Sequence, residues 1–236
     1  MQDAASRTAL LPEALVEGYE GFLTGKFPRE RQRFQDLATI GQHPHTLIIG
    51  CCDSRVTPEE IFNVEPGELF DVRNVANLVP PCSGDNYHHG SWAAIDYAVT
   101  ALRVKHIVVL GHAKCGGVRA FVESHAGVAE PALEDDDYLG DWIRLIAPAA
   151  RRLGPTPAAF DASYARRLGL ESVKQGLRNL RTFPKVAALE RVEAVKLHGA
   201  FFEIEDARLF ALDQARDEFV QIAARAHEAT IAQARF

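Results

Sequence analysis

The sequence predicts an α/β fold: a central, mostly parallel sheet of four strands plus an antiparallel edge strand, flanked by helices and preceded by an N-terminal helical arm. Three observations carry this. Two short apolar runs, residues 46–50 (TLIIG) and 106–110 (HIVVL), have the length and branched residues of strands buried on both faces. A helical segment lies between them, and the order strand, helix, strand implies parallel pairing. Further on, Leu170, Val173, Leu177 and Leu180 step by three and four residues along an amphipathic helix that stops before Pro184.

Taken in order, Leu11, Leu15, Tyr19, Phe22 and Leu23 recur at helical spacing, and a polar-rich segment, 28–38, carries Phe34 and Leu37 on one side. These form the arm, residues 1–41, within what reads as a single domain spanning 1–236. Residues 46–50 are the first strand, 68–73 (ELFDVR) the second, 91–102 (SWAAIDYAVTAL) a buried helix and 106–110 the third strand. Gly116 and Gly117 introduce a helix near Val118. The acidic run 134–137 (EDDD) reads as a solvated loop or helix start without function. Residues 195–202 and 208–212 form a fourth strand and its hairpin partner, with a C-terminal helix from Gln214. No linker and no internal repeat interrupts the chain.

Composition narrows the function classes. With 236 residues and 47% hydrophobic content the chain can bury a sizeable core. A formal net charge of -6 without a cluster of Lys and Arg argues against a nucleic-acid partner. No apolar stretch approaches the roughly 20 residues that span a bilayer. The N-terminus lacks the basic and apolar regions of a signal peptide, so a cytoplasmic location is expected. Four cysteines are too few for a disulfide framework and point to metal or catalysis.

Cys51 and His112 each fall just past a buried strand, so both emerge at the carboxyl edge of a parallel sheet, where ligands bind in open α/β folds. Cys115 follows His112 by three residues, and one tight turn can present imidazole and thiolate to the same ion. Alone, a cysteine after a strand is core packing and His-x-x-Cys is a weak pattern; together they make a zinc site of two thiolates and one imidazole. Three protein ligands leave the fourth position open, as in catalytic zinc sites. Two thiolates acidify bound water only modestly, so nearby groups must help. Asp53 and Arg55 are candidates for that role as an ion pair, and Gly116 and Gly117 supply amides at a helix start, suited to an oxygen anion. Cys52 is expected to face away and pack in the interior; Cys82, beside Pro80 and Pro81, has no evident partner.

Cys51-Cys52-Asp53-Ser54-Arg55 followed by His112-Ala113-Lys114-Cys115-Gly116-Gly117 resembles the paired signature of the β-class carbonic anhydrases. The likeness extends through 65–81 (EPGELFDVRNVANLVPP), 93–99 (AAIDYAV) and, more loosely, 176–184, so that roughly 42–205 is covered. It implies a zinc enzyme that reversibly hydrates CO₂ to bicarbonate and a proton by attack of zinc-bound hydroxide. It also implies an obligate homodimer that often pairs further. By position, Gln42 would hydrogen-bond substrate or bicarbonate, while Phe70, Val75 and Tyr97 would wall an apolar CO₂ pocket; in this family the glutamine and aromatic walls often come from the partner subunit. On composition alone those three apolar residues read as core.

Some members close the zinc with the aspartate of the Asp-Arg pair, and these carry Trp at the position of Ile48. Together with the plant-like NLVPP stretch, Ile48 places this chain with the open-site members. Cys52 stands where the family more often has Ala or Ser. Two other readings stay open on the same residues: hydrolysis of carbonyl sulfide or carbon disulfide, and a non-catalytic zinc protein that binds bicarbonate or another anion.

Overall fold

In the computed structural model, residues 10–83, 90–125 and 137–233 are described. They divide into two compact units, with the boundary between His43 and Pro44. The first unit is a pair of helices, α1 (Glu13–Thr24) and α2 (Lys26–Ile40), joined at Gly25, whose N–H closes α1 on Gly21 O. Phe22, Phe27 and Phe34 hold the two together, with ring centroids 5.7–5.8 Å apart. No residue of either helix is buried within this small unit, and Leu11, Leu15 and Tyr19 are well exposed.

The second unit is built on a six-stranded sheet: β1 (Thr46–Cys51), β2 (Leu69–Asn74), β3 (His106–His112), β4 (Lys196–Glu203), β5 (Arg208–Asp213) and β6 (Glu218–Gln221). Their spatial order is β2-β1-β3-β4-β5-β6. The first four strands are parallel, and β5 and β6 add antiparallel at one edge. Among the helices, α3 (Pro58–Ile61) follows β1, α4 (Gly90–Tyr97) precedes β3 and α5 (Gly116–His125) leaves it. Then come α6 (Tyr138–Ile143), α7 (Ala147–Leu153), α8 (Ala162–Leu180), α9 (Pro184–Arg191) and, after the sheet, α10 (Ala224–Gln233).

The expected antiparallel edge is thus two strands deep, and the C-terminal helix starts at Ala224 rather than Gln214. The Asp213 carboxylate accepts from the N–H groups of Ala215 and Arg216, a local turn that reverses the chain into β6. That strand is only four residues long, with Phe219 packing on the core, and so short a run carries little periodicity. The buried segment after residue 90 is α-helical only as far as Tyr97. Residues 98–102 widen into a π turn, closed by Arg103 in the left-handed region (φ 55°) donating to Ala98 O. The helix after Cys115 begins at Gly116, two residues before the expected Val118. Of the acidic run, Asp137 caps α6 by accepting from Leu139 and Gly140 N–H, and 134–136 lie outside the described residues.

Strand alternation sorts the core. Leu47 and Ile49, Ile107 and Val109, and Leu197 and Phe201 face the helices and pack with Val173, Leu177 and Leu180 of α8. The opposite face holds a smaller cluster of Ile48, Leu110 and Ala200. The helix comes close because three strand and helix positions have no side chain. A Cβ at Gly111 or Gly199 would lie 2.6 or 2.9 Å from Val173 methyl carbons, and one at Gly176 3.1 Å from Val109. No helix among the described residues is long and apolar enough to cross a membrane.

Candidate metal centre

Cys51 is the last residue of β1 and His112 the last of β3, so the strands run one and two residues further than the sequence suggested. The extension has a cause: Cys51 pairs with Asn74 and His112 with Phe202, and Ala113 N–H continues the ladder to Phe202 O at 2.9 Å. Adjacent parallel strands therefore deliver both side chains to the same carboxyl edge. Lys114 then takes the left-handed conformation (φ 55°), which turns the chain so that Cys115 comes back toward His112.

The ligand-capable atoms of Cys51, His112 and Cys115 all lie within 4.8 Å of one another, and all three residues are buried. The two sulfurs are 4.0 Å apart. Two thiolates on a tetrahedral zinc would stand about 3.8 Å apart, from Zn–S bonds of about 2.3 Å. His112 Nδ1 donates to Ala113 O at 2.8 Å, which leaves Nε2 as the bare lone pair. That Nε2 is buried and has no hydrogen-bond partner among the described residues; the nearest carboxylate oxygen, Asp53 Oδ2, is 4.0 Å away. A buried imidazole nitrogen left bare beside two thiols is costly unless something coordinates it. The donor set fits a metal ion.

The thiols share a proton. A hydrogen bond from Cys115 holds Cys51 well below an ordinary thiol, against burial and with the Asp53 N–H assisting. Cys115 is pushed up, first by giving that bond and then by burial. The Val118 and Gly117 amides point at its sulfur and oppose the rise. Of the two glycine amides expected to receive an oxygen anion, that of Gly117 is thus turned toward a ligand sulfur.

Asp53 and Arg55 form the expected ion pair. Arg55 Nε and Nη2 reach Oδ1 and Oδ2 at 2.9 and 2.6 Å, and the Arg55 backbone N–H adds a bond to Oδ1 at 3.0 Å. The Arg55 guanidinium also donates to Lys114 O at 3.2 Å, tying the pair to the turn before Cys115. The Arg55 guanidinium, then its backbone N–H, hold the Asp53 carboxyl far below the usual carboxylate range. It is a fixed anion beside the three ligands.

The structure divides the other sequence-derived residues. Val75 packs in the same cluster as Cys51 and Cys115, and Gly116 opens α5 directly after the ligand. Phe70 and Tyr97 pack on each other at 5.8 Å between centroids, Phe70 against the larger core and Tyr97 half exposed, and neither lines the cleft over His112 and Cys115. Gln42 is exposed in the first unit. Cys52 is exposed, not packed: its N–H joins the sheet to Asn74 O, which turns the side chain outward. Burial and the neighbouring Cys51 raise its thiol. Cys82 is exposed too, its N–H donating to Thr182 Oγ1.

Against this geometry the comparisons with known proteins are consistent. The family profile described as carbonic anhydrase matches residues 46–209. The chain belongs to the β-carbonic anhydrase family. Carbonic anhydrase of Pseudomonas aeruginosa is 38% identical over 89% of this chain and 91% of its own. The solved β-carbonic anhydrase CcaA is similar with a TM-score of 0.80 at 30% identity, covering 90% of this chain and 92% of that one. One of two tetrameric β-carbonic anhydrases from the ascomycete Sordaria macrospora follows with a TM-score of 0.69 at 29% identity, over 85% and 95%.

Two features of this β-carbonic anhydrase chain escaped the sequence reading. Arg73, on β2, donates from Nε to Cys51 O at 2.9 Å and from Nη2 to Asp53 O at 2.7 Å, bracketing the turn that carries ligand and ion pair. Nothing in the sequence marks which carbonyls an arginine on a strand will reach. The other is a cleft of about 600 Å³ in front of His112 and Cys115, walled by Phe160, Arg119, Arg166 and the start of α8. Nothing local in 155–165 marks that loop as part of the site.

Proposed function

We propose that this chain catalyses the reversible hydration of CO₂ to bicarbonate and a proton, with zinc held by Cys51, His112 and Cys115. The observation that carries the reading is the bare, buried Nε2 of His112 facing two thiols, next to a carboxylate that Arg55 keeps ionised. Zinc, when bound, supplies the Lewis acidity that makes water a nucleophile at neutral pH. The protein's part is orientation. Asp53, fixed by three hydrogen bonds from Arg55, is a hydrogen-bond acceptor of defined direction for the attacking water. Because Arg55 engages both carboxylate oxygens, Asp53 is held back from the ligand position, which supports the open form of the site. Gly116 offers an amide for the developing bicarbonate, and Val75 an apolar wall for CO₂.

Phe70, Tyr97 and Gln42 complete the pocket of a second copy in this proposal. That Phe70 and Tyr97 do not line the cleft of their own chain supports a homodimer, and the tetrameric Sordaria relative supports pairing of dimers. The N-terminal helices serve as the dimer arm of a single functional domain, since their apolar side chains are unburied within their own unit. Free thiols at Cys51, Cys52, Cys82 and Cys115 support a reducing compartment, the cytoplasm.

Stopped-flow hydration of CO₂ by zinc-loaded protein tests the activity, with Asp53→Ala and Cys115→Ala as controls. The expected result is turnover in the parent and its loss in both variants. Absence of turnover from pH 7 to 9 in the parent would overturn the proposal, and sulfide release from carbonyl sulfide without CO₂ hydration would replace it.

A further inference from the structure

The turn that carries Val75 is imposed from outside. After β2 the chain makes a single 3₁₀ turn, Val75–Asn77, in which Ala76 (φ 63°, ψ 24°) and Asn77 (φ 49°) both occupy the left-handed region. That conformation costs a residue with a side chain about 1 kcal/mol or more, and it persists only where the surroundings determine it. Asn74 closes the turn from below, accepting from Leu78 N–H at 2.8 Å and donating to Leu78 O at 2.9 Å. Neither bond reaches Val75.

The group that does is Trp142. Its indole N–H donates to Val75 O at 2.8 Å across 67 residues of sequence. Trp142 stands on α6, whose N-terminus is capped by Asp137, and it is partly buried in the cluster that contains Cys51 and Cys115. The turn also abuts α5. A Cβ at Gly117 would lie 2.8 Å from Val75 Cγ1 and 3.0 Å from Ala76 Cβ, so only glycine lets the two elements meet. The turn meets both the indole of α6 and the first turn of α5, which starts one residue after a metal ligand.

We propose that Trp142 is a positioning residue of the reaction: its bond to Val75 O sets where the Val75 side chain stands in the cluster it shares with Cys51 and Cys115, and hence the shape of the apolar wall that, in the proposed function, receives CO₂. The inference rests on the CO₂-hydrating reading of the site. A small, linear, uncharged substrate without donors offers little to hold except surface, and van der Waals contact fades within an ångström of misfit. A displaced wall therefore lowers occupancy of the pocket and leaves the ligand set alone. Tryptophan suits the task because it brings one donor, no acceptor and a rigid ring that packs.

The test uses zinc-loaded Trp142→Phe, which keeps a ring and removes the N–H. KM for CO₂ is expected to rise at least threefold with kcat within twofold of the parent. The visible spectrum of the cobalt-substituted protein should not change, because no ligand moves. Trp92→Phe is the control: it removes an N–H directed at Pro80 O, 3.3 Å away, and should leave KM where it was. Gly117→Ala pushes the same turn from α5 and should also raise KM, which guards against a general loosening in Trp142→Phe. An unchanged KM in Trp142→Phe, a fall in kcat alone, or an equal effect of Trp92→Phe refutes the proposal. A parent without CO₂ hydration refutes the reading beneath it, and the proposal with it.

Discussion

Two glycines stand immediately before two metal ligands, Gly50 before Cys51 and Gly111 before His112, and the structure predicts opposite responses to the same substitution. In Gly111→Ala the new methyl would lie 2.6 Å from Val173 Cγ2 and 3.1 Å from Phe201 Cδ2, and both neighbours are 0% exposed. Carbon atoms pack at about 3.5–4.0 Å, so Val173 must retreat by roughly an ångström. It has nowhere to go: a valine in a helix is confined largely to one χ1 rotamer. Moreover, α8 is seated through Gly169 and Gly176, whose own Cβ positions are 3.0 and 3.1 Å from Phe201 and Val109. Overpacking of this kind costs roughly 1–3 kcal/mol, offset by about 0.5–1 kcal/mol because alanine is a better strand residue than glycine. The net, about 1.3 kcal/mol at the middle of these ranges, lowers the thermal midpoint at this chain length by roughly 3–5 °C. In Gly50→Ala the methyl meets Pro58 Cγ at 3.7 Å, an ordinary contact, and the midpoint should stay level or rise slightly. Differential scanning calorimetry of both zinc-loaded variants decides it. A Gly111→Ala midpoint within 1 °C of the parent, or an equal loss in Gly50→Ala, would refute the argument that the helix is seated on bare backbone.

Three further outcomes are expected. Arg73→Met leaves the Cys51 and Asp53 carbonyls without their guanidinium, so kcat/KM should fall roughly tenfold while zinc, measured by atomic absorption, stays bound. Asp161 caps α8 by accepting from Ser163 and Tyr164 N–H at 2.7 and 3.2 Å, and Asp161→Ala should cost about 1 kcal/mol in urea denaturation. His198 lies 3.0 Å from His106, and burial, then His106 and Lys196, lower its pKa. Its folded pKa lies below its unfolded value of about 6.5, so its contribution is complete above that pH and is lost as the pH falls through it toward the folded value. Stability of the parent should therefore drop more between pH 7 and 5 than that of His198→Gln; parallel curves would contradict this.

The metal ligands were legible because they combine two independent regularities. A buried apolar run fixes where a parallel strand ends, and thiol or imidazole chemistry at that end has few structural uses. Asp53 and Arg55 could be found for the same reason, since they follow a ligand directly. Arg73 and Trp142 could not, because each acts on a backbone carbonyl far along the chain, and a carbonyl is the same at every residue. The second antiparallel strand was missed where a four-residue segment supplies too little alternation to read. Cys52 was misjudged because its orientation follows from its N–H pairing with Asn74 O, a bond set by neighbouring strands.

The placement of the ligands at the ends of β1 and β3 also orders events in time. The two sulfurs are 64 residues apart in sequence, and the segment between them contains β2 and α4. No local hairpin can bring them together; the non-local pairing of β1 with β3 must come first, and pairing of that sort is slow. The metal pocket is then assembled only after that pairing, and uptake of an ion at neutral pH would serve as a clock for the joining of β1 to β3.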